Sequence, residues 1–191
     1  QLPLKLSPTE WKLATSRSEM EIHMNTTDNL EQFLPILRTS SIFSGMSDSE
    51  ILSVLHCMGA FVSDKEKDSY LLRAGDMTST MGLLLSGSAI VIQEDVWGHR
   101  NIMAQILPGQ TFAEPFAASN GTALNISVVV TKDCSLLYLD IHRILEVCPS
   151  ACEHHTHLIQ NLISVLAKKL LLFNEKITHM SKRTTKEKLL S

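Results

Sequence analysis

Hydrophobic positions along this chain change their period twice. Near the start, Leu30, Phe33, Leu34 and Leu37 recur at steps of one to three, and they fall on one helix face. The pattern predicts a short helix from Asp28, as its cap, to about Arg38, shortened or kinked by Pro35. A second helix is expected from Ser47. Glu50, three residues on, completes a capping box, and Ile51, Leu52, Val54 and Leu55 supply the buried face until Gly59 stops it.

From Ala60 to Asp140 the period falls to two. Short apolar runs lie at 70–72, 83–85, 89–92, 102–104, 127–130 and 136–139, and glycines at 75, 82, 87, 98, 109 and 121 punctuate them. Strands with turn signals at this pitch predict a β-sandwich or jelly roll. Trp97-Gly98-His99-Arg100 fits a hairpin tip, with Gly98 taking a positive φ. A short helix is expected over Ile141 to Val147. Pro149 then opens a long helix, where its missing N–H costs little.

That helix carries a narrow stripe: Ile159, Ile163, Leu166, Leu170, Phe173, Ile177 and Met180. Steps of four and three keep one seam facing a partner helix, as in a coiled coil. The stripe predicts a homodimer, and a dimerising helix behind a β-rich unit points to a sensor.

Composition narrows the class. The chain has 191 residues, 44% of them hydrophobic but only 5% aromatic, so its core is aliphatic. A net charge of −3 argues against a chain that is itself a nucleic-acid binder. Lys176, Lys182, Arg183, Lys186 and Lys188 nevertheless make the C-terminal end locally basic. This is either a solvated helix end or the approach to a nucleic-acid-binding segment. Cys57, Cys134, Cys148 and Cys152 make no secreted disulfide framework at this length. No apolar run is long enough for a membrane span and no signal peptide is visible, so a cytoplasmic location without membrane association is expected. Residues 1–23 share no clean period with the rest of the chain, and read as a vector-derived part of an N-terminal extension over 1–28.

One stretch breaks the strand rhythm: Pro108-Gly109-Gln110-Thr111-Phe112-Ala113-Glu114-Pro115-Phe116-Ala117. A glycine turn, an aromatic residue and a carboxylate opening a short helical turn can hold a polar ligand where a plain hairpin cannot. With this stretch, the pieces Leu71-Leu72-Arg73-Ala74-Gly75-Asp76, Leu83-Leu84-Leu85-Ser86-Gly87 and Leu170 to Leu190 stand in an order that resembles the effector half of the Crp/Fnr superfamily of bacterial transcription regulators.

The resemblance covers about residues 29–191. It implies a mainly β fold with flanking helices: a cyclic-nucleotide-binding-like β-roll (double-stranded β-helix or jelly roll) over 29–148, then a dimerisation helix over 149–181. The ending, 182–191, is similar to the hinge and first helix of that family's winged helix-turn-helix domain. The sequence therefore implies a chain that stops before the recognition helix, with DNA a partner only through that missing domain.

The same resemblance places a small-molecule effector against Ala113, Glu114, Phe116, Leu124, Asn125, Phe173 and Asn174. In the cyclic-nucleotide members an Arg-Ser pair holds the phosphate; here Leu124-Asn125 falls in its place. A buried phosphate charge needs a fixed partner, and leucine supplies none. Losing such a contact costs on the order of 2–5 kcal/mol, so weak or no binding of cAMP and cGMP is expected. Phe173-Asn174 stands where cyclic-AMP receptors carry small hydroxyl residues that touch the base. An aromatic there favours a small apolar or aromatic effector, or none. The plainer alternatives are that Phe173 packs the seam, Glu114 caps its helical turn and Asn125 ends a strand.

Two other readings compete. Cys148, Cys152 and His155 share one helical face and have ligand chemistry suited to zinc, iron or haem, which would make a redox, metal or haem sensor of the same fold. Packing explains such cysteines equally well, and no cofactor is the first expectation. Among the histidines, His154, His155 and His157 fit a solvated helix start. A cupin-type enzyme would need two or three histidines and a carboxylate on inward strand positions, and the β region offers only His99, in the hairpin. With no nucleophile triad or phosphate loop either, no enzymatic activity is expected.

Overall fold

The computed structural model describes residues 27–95, 97–119, 121–145 and 153–180. The extension over 1–23, Cys148, Pro149, Cys152 and the segment 182–191 lie outside the described residues, as do the side chains of Asp28 and Met180.

The first predicted helix forms in two parts. Thr27–Phe33 is a 3-10 helix, and α1 (Leu34–Leu37) is a single α-helical turn with Pro35 at its start. Proline fits there because its absent N–H belongs to the first turn. After a 3-10 turn at Ser41–Phe43 comes α2 (Asp48–Cys57), capped as the sequence predicts. The Ser47 Oγ accepts from the Glu50 N–H at 3.4 Å, and the Glu50 carboxylate accepts from the Ser47 N–H at 2.7 Å.

Among the described residues, eight antiparallel strands make two four-stranded sheets. One has the order β1 (Phe61–Lys65), β8 (Cys134–Asp140), β3 (Thr80–Leu84), β6 (Thr111–Phe112). The other has the order β2 (Tyr70–Leu72), β7 (Ser127–Lys132), β4 (Ser88–Glu94), β5 (Arg100–Ile106). Each predicted apolar run falls in or overlaps a strand, while β1 and β6 come from sequence that carries no such run. Gly98 takes φ +84° in the β4–β5 hairpin, as expected.

Gly82 is a correction. It reads as a turn signal but lies inside β3, paired with Phe112. A Cβ there would stand 2.1 Å from the Phe112 ring, so the missing side chain makes room for the aromatic one.

Two apolar clusters result. Leu84, Ala89, Val128, Val130 and Leu136 belong to the one inside the roll. The other joins the first helices to β3 and β8, α4 (Ile141–Leu145) and the start of α5 (Glu153–Met180). The long helix buries Leu158, Leu162 and Val165 against its own subunit. Ile159 and Leu166 flank that stripe and are half-covered. Ile163, Leu170, Phe173 and Ile177 stay open to solvent, Leu170 at 68%.

The histidines correct another expectation. The start of α5 is not a solvated end: it packs on the Ser41–Phe43 turn and α2, so His155 is only 6% exposed. Asn161 ties the same face down by donating to the carbonyls of Ile42 and Ser44 at 3.0 and 2.9 Å.

Candidate functional site

The site is built outward from Gly82. Because that residue has no side chain, β6 lies close on β3, with Gly82 opposite Phe112 and Leu83 opposite Thr111. Ala113 then turns the chain in the left-handed region, φ +67°. A residue with a Cβ rarely adopts that conformation, at a cost of roughly 1–2 kcal/mol. The turn starts α3 (Glu114–Ala118), with Pro115 in its first turn, and sends Glu114 inward to 1% exposure.

A carboxylate so deeply placed needs a partner. It receives one from the long helix. Lys169 donates from Nζ to Glu114 Oε1 at 2.7 Å and to the Thr111 carbonyl oxygen at 2.5 Å. Glu114 thus serves as the seat of an ammonium group rather than as a helix cap, and α3 has no side-chain cap. One further contact of this kind lies along α5, where Lys176 donates to the Met103 carbonyl in β5 at 3.2 Å.

Lys169 and Thr111 are site residues that the sequence reading missed. The signal was present in the register of α5. His155, Leu158, Leu162 and Val165 recur at steps of three and four on the inward face, and the next step lands on Lys169. A lysine continuing a buried stripe calls for a carboxylate or carbonyl opposite it.

The other expected effector residues separate into two groups. Ala113 and Leu124 are buried and Phe116 is half-buried. Leu124 is fixed by its backbone, its carbonyl accepting from the Gly75 N–H and its N–H donating to the Asp76 carbonyl, each at 2.8 Å. Asn125, Phe173 and Asn174 are exposed in the single chain. Phe173 lies one helical turn beyond Lys169, on the face that carries Leu170 and Ile177.

Of the metal alternative, only His155 is described. Both its ring nitrogens are buried without a hydrogen-bond partner. Among the described residues no group of three or more His, Cys, Asp or Glu is placed to hold a metal ion. Cys134 sits in the roll's apolar cluster, where burial above all, with Asp64 and Asp133 adding to it, pushes its thiol up. A raised thiol forms the nucleophilic thiolate less readily. No helix among the described residues is long and apolar enough to cross a membrane.

Comparison with known proteins agrees with this geometry. Residues 64–150 match the family model described as Cyclic nucleotide-binding domain. No curated protein matches the chain. A cyclic nucleotide-binding domain from Methylobacillus flagellatus is 16% identical with a TM-score of 0.68, over 83% of this chain and 88% of that one. The catabolite activator protein of Thermus thermophilus is 20% identical with a TM-score of 0.64; the match covers 74% of this chain and 63% of that protein's length. The sensor domain of the transcriptional regulator DNR from Pseudomonas aeruginosa is 15% identical with a TM-score of 0.56, over 78% of this chain and 94% of that one. Strand order, inserted helical turn and the long helix after the roll together are those of a cyclic nucleotide-binding-type β-roll with flanking helices.

Proposed function

We propose that this chain is the ligand-sensing and dimerising part of a Crp/Fnr-type bacterial transcription regulator, working in the cytoplasm, without catalytic activity and without a response to cAMP. The observation that carries the reading is the pairing of Glu114 with Lys169 of the long helix. It connects the inserted turn of the roll directly to the element whose open stripe suits a second copy of the chain. A small molecule at this turn would shift α5, and with it the geometry of a dimer. DNA would be reached through a further domain attached beyond α5.

Insensitivity to cAMP follows from charge. Leu124 offers no cation to a phosphate, and the Lys169 ammonium is already matched to a buried carboxylate. Titration calorimetry with cAMP and cGMP is expected to give no heat of binding below the millimolar range. A micromolar constant would overturn this part of the proposal.

A second reading is favoured by His155, whose two ring nitrogens lack partners. On it, His155 with Cys148 and Cys152 would hold a metal or haem, and the protein would be a redox or haem sensor on the same fold. A visible absorption spectrum and a metal assay on the purified protein separate the two readings. Bound metal or a haem band that disappears in His155→Ala favours the second.

A further inference from the structure

We infer that the seat formed by Glu114 and the Thr111 carbonyl is a binding site for an organic ammonium ion, which Lys169 occupies as an internal ligand. The inference deepens the effector reading above and rests on it for the site's biological role.

The argument is one of charge and hydrogen-bond number. Glu114 is buried and acceptor-only when ionised, and Thr111 presents a backbone carbonyl that is also acceptor-only. Two convergent acceptors, one of them anionic, select a group that carries several N–H donors and positive charge. A primary ammonium has three donors and no acceptor. A phosphate or carboxylate would meet like charge at Glu114 and would have to break the existing pair to enter.

Lys169 shows that the seat accepts such a group in practice. Its side chain remains 43% exposed while Glu114 is 1% exposed, so an external amine reaches the seat by displacing the lysine. An amine that takes the seat releases Lys169 and leaves the later turns of α5 held to the roll through Lys176.

Chemical rescue tests this directly. Lys169→Ala empties the seat while leaving the carboxylate in place. Adding n-butylammonium to that variant is expected to raise its melting temperature by about 2–4 °C at saturation. Neutral n-butanol at the same concentration should not, and neither should the amine in a Glu114→Gln/Lys169→Ala double variant. The unsubstituted chain should bind the amine at least about tenfold more weakly, because its own lysine competes.

Equal shifts from amine and alcohol, no shift from either, or an amine shift that survives Glu114→Gln would overturn the inference. Should Lys169→Ala fail to fold, nitrogen-15 NMR of the unsubstituted protein decides instead. One lysine ammonium signal protected from water exchange, and lost in Glu114→Gln, is expected; its absence overturns the built seat. The two proposals fail separately. A chain that takes butylammonium but never dimerises keeps the seat and loses the regulator. A dimer blind to amines does the reverse.

Discussion

At the residue scale, one ion pair governs the site. Glu114 is almost wholly inside the protein and Lys169 is partly out of it, so the two are not equivalent under mutation. Removing the lysine leaves a buried carboxylate beside a carbonyl oxygen, without the ammonium that donates to both. Lys169→Ala is expected to destabilise the fold by about 1–3 kcal/mol, below the full loss for a deeply buried pair because solvent reaches the lysine side. The double variant Glu114→Gln/Lys169→Met removes both charges and should recover part of the loss, measured by chemical denaturation. A double variant less stable than Lys169→Ala would mean that the pair is not the source of the effect. The sequence showed Glu114 as notable, from its place in an inserted turn. It could not show the partner, because Lys169 lies 55 residues further on and only the packing of α5 brings them together.

At the element scale, the strand and helix boundaries follow local chemistry where that chemistry is self-contained. The capping box at Ser47 and Glu50 was legible because both halves of the motif lie within four residues. The Ser47 hydroxyl and backbone N–H hold the Glu50 carboxyl below its usual value, with smaller help from His154 and His157. A carboxyl lowered in the folded state adds stability above its unfolded value, about 4.3, and loses it as the pH falls through the folded one. Glu50→Gln should therefore melt below the parent at neutral pH, with the gap closing on acidification. A gap that persists at pH 2 would place its cause outside ionisation. Gly82 shows the opposite case. Nothing nearby in sequence distinguishes a turn glycine from one that makes room for Phe112, a residue 30 positions away. Gly82→Ala is expected to cost about 1–3 kcal/mol through overpacking. Adding Phe112→Leu should return part of that in a double-mutant cycle. Independent, additive effects would argue against the contact.

At the scale of the whole molecule, α5 has two working faces. Leu158, Leu162 and Val165 close the subunit's own core, while Ile163, Leu170, Phe173 and Ile177 remain uncovered. Those four positions of the seam read from sequence are exposed in the single chain. Ile159 and Leu166 belong partly to the subunit core, because a 28-residue helix lying on a roll has a border between inside and outside that spacing alone does not locate. Under the dimer proposed above, the four exposed positions are the ones a second copy would cover. Phe173→Glu with Leu170→Glu should convert a dimer to monomers in analytical ultracentrifugation without lowering the helical circular dichroism per chain. An unchanged sedimentation coefficient would remove α5 as the dimer contact.

The inner face of the same helix is fastened unevenly. Its first turns are held by packed hydrocarbon, its later ones by two lysine tips resting on oxygen atoms of the roll. A rod held this way peels from one end only. Amide hydrogen exchange should be slow through Val165 and accelerate towards Ile177, and concentrated salt should hasten the outer turns while sparing the inner ones.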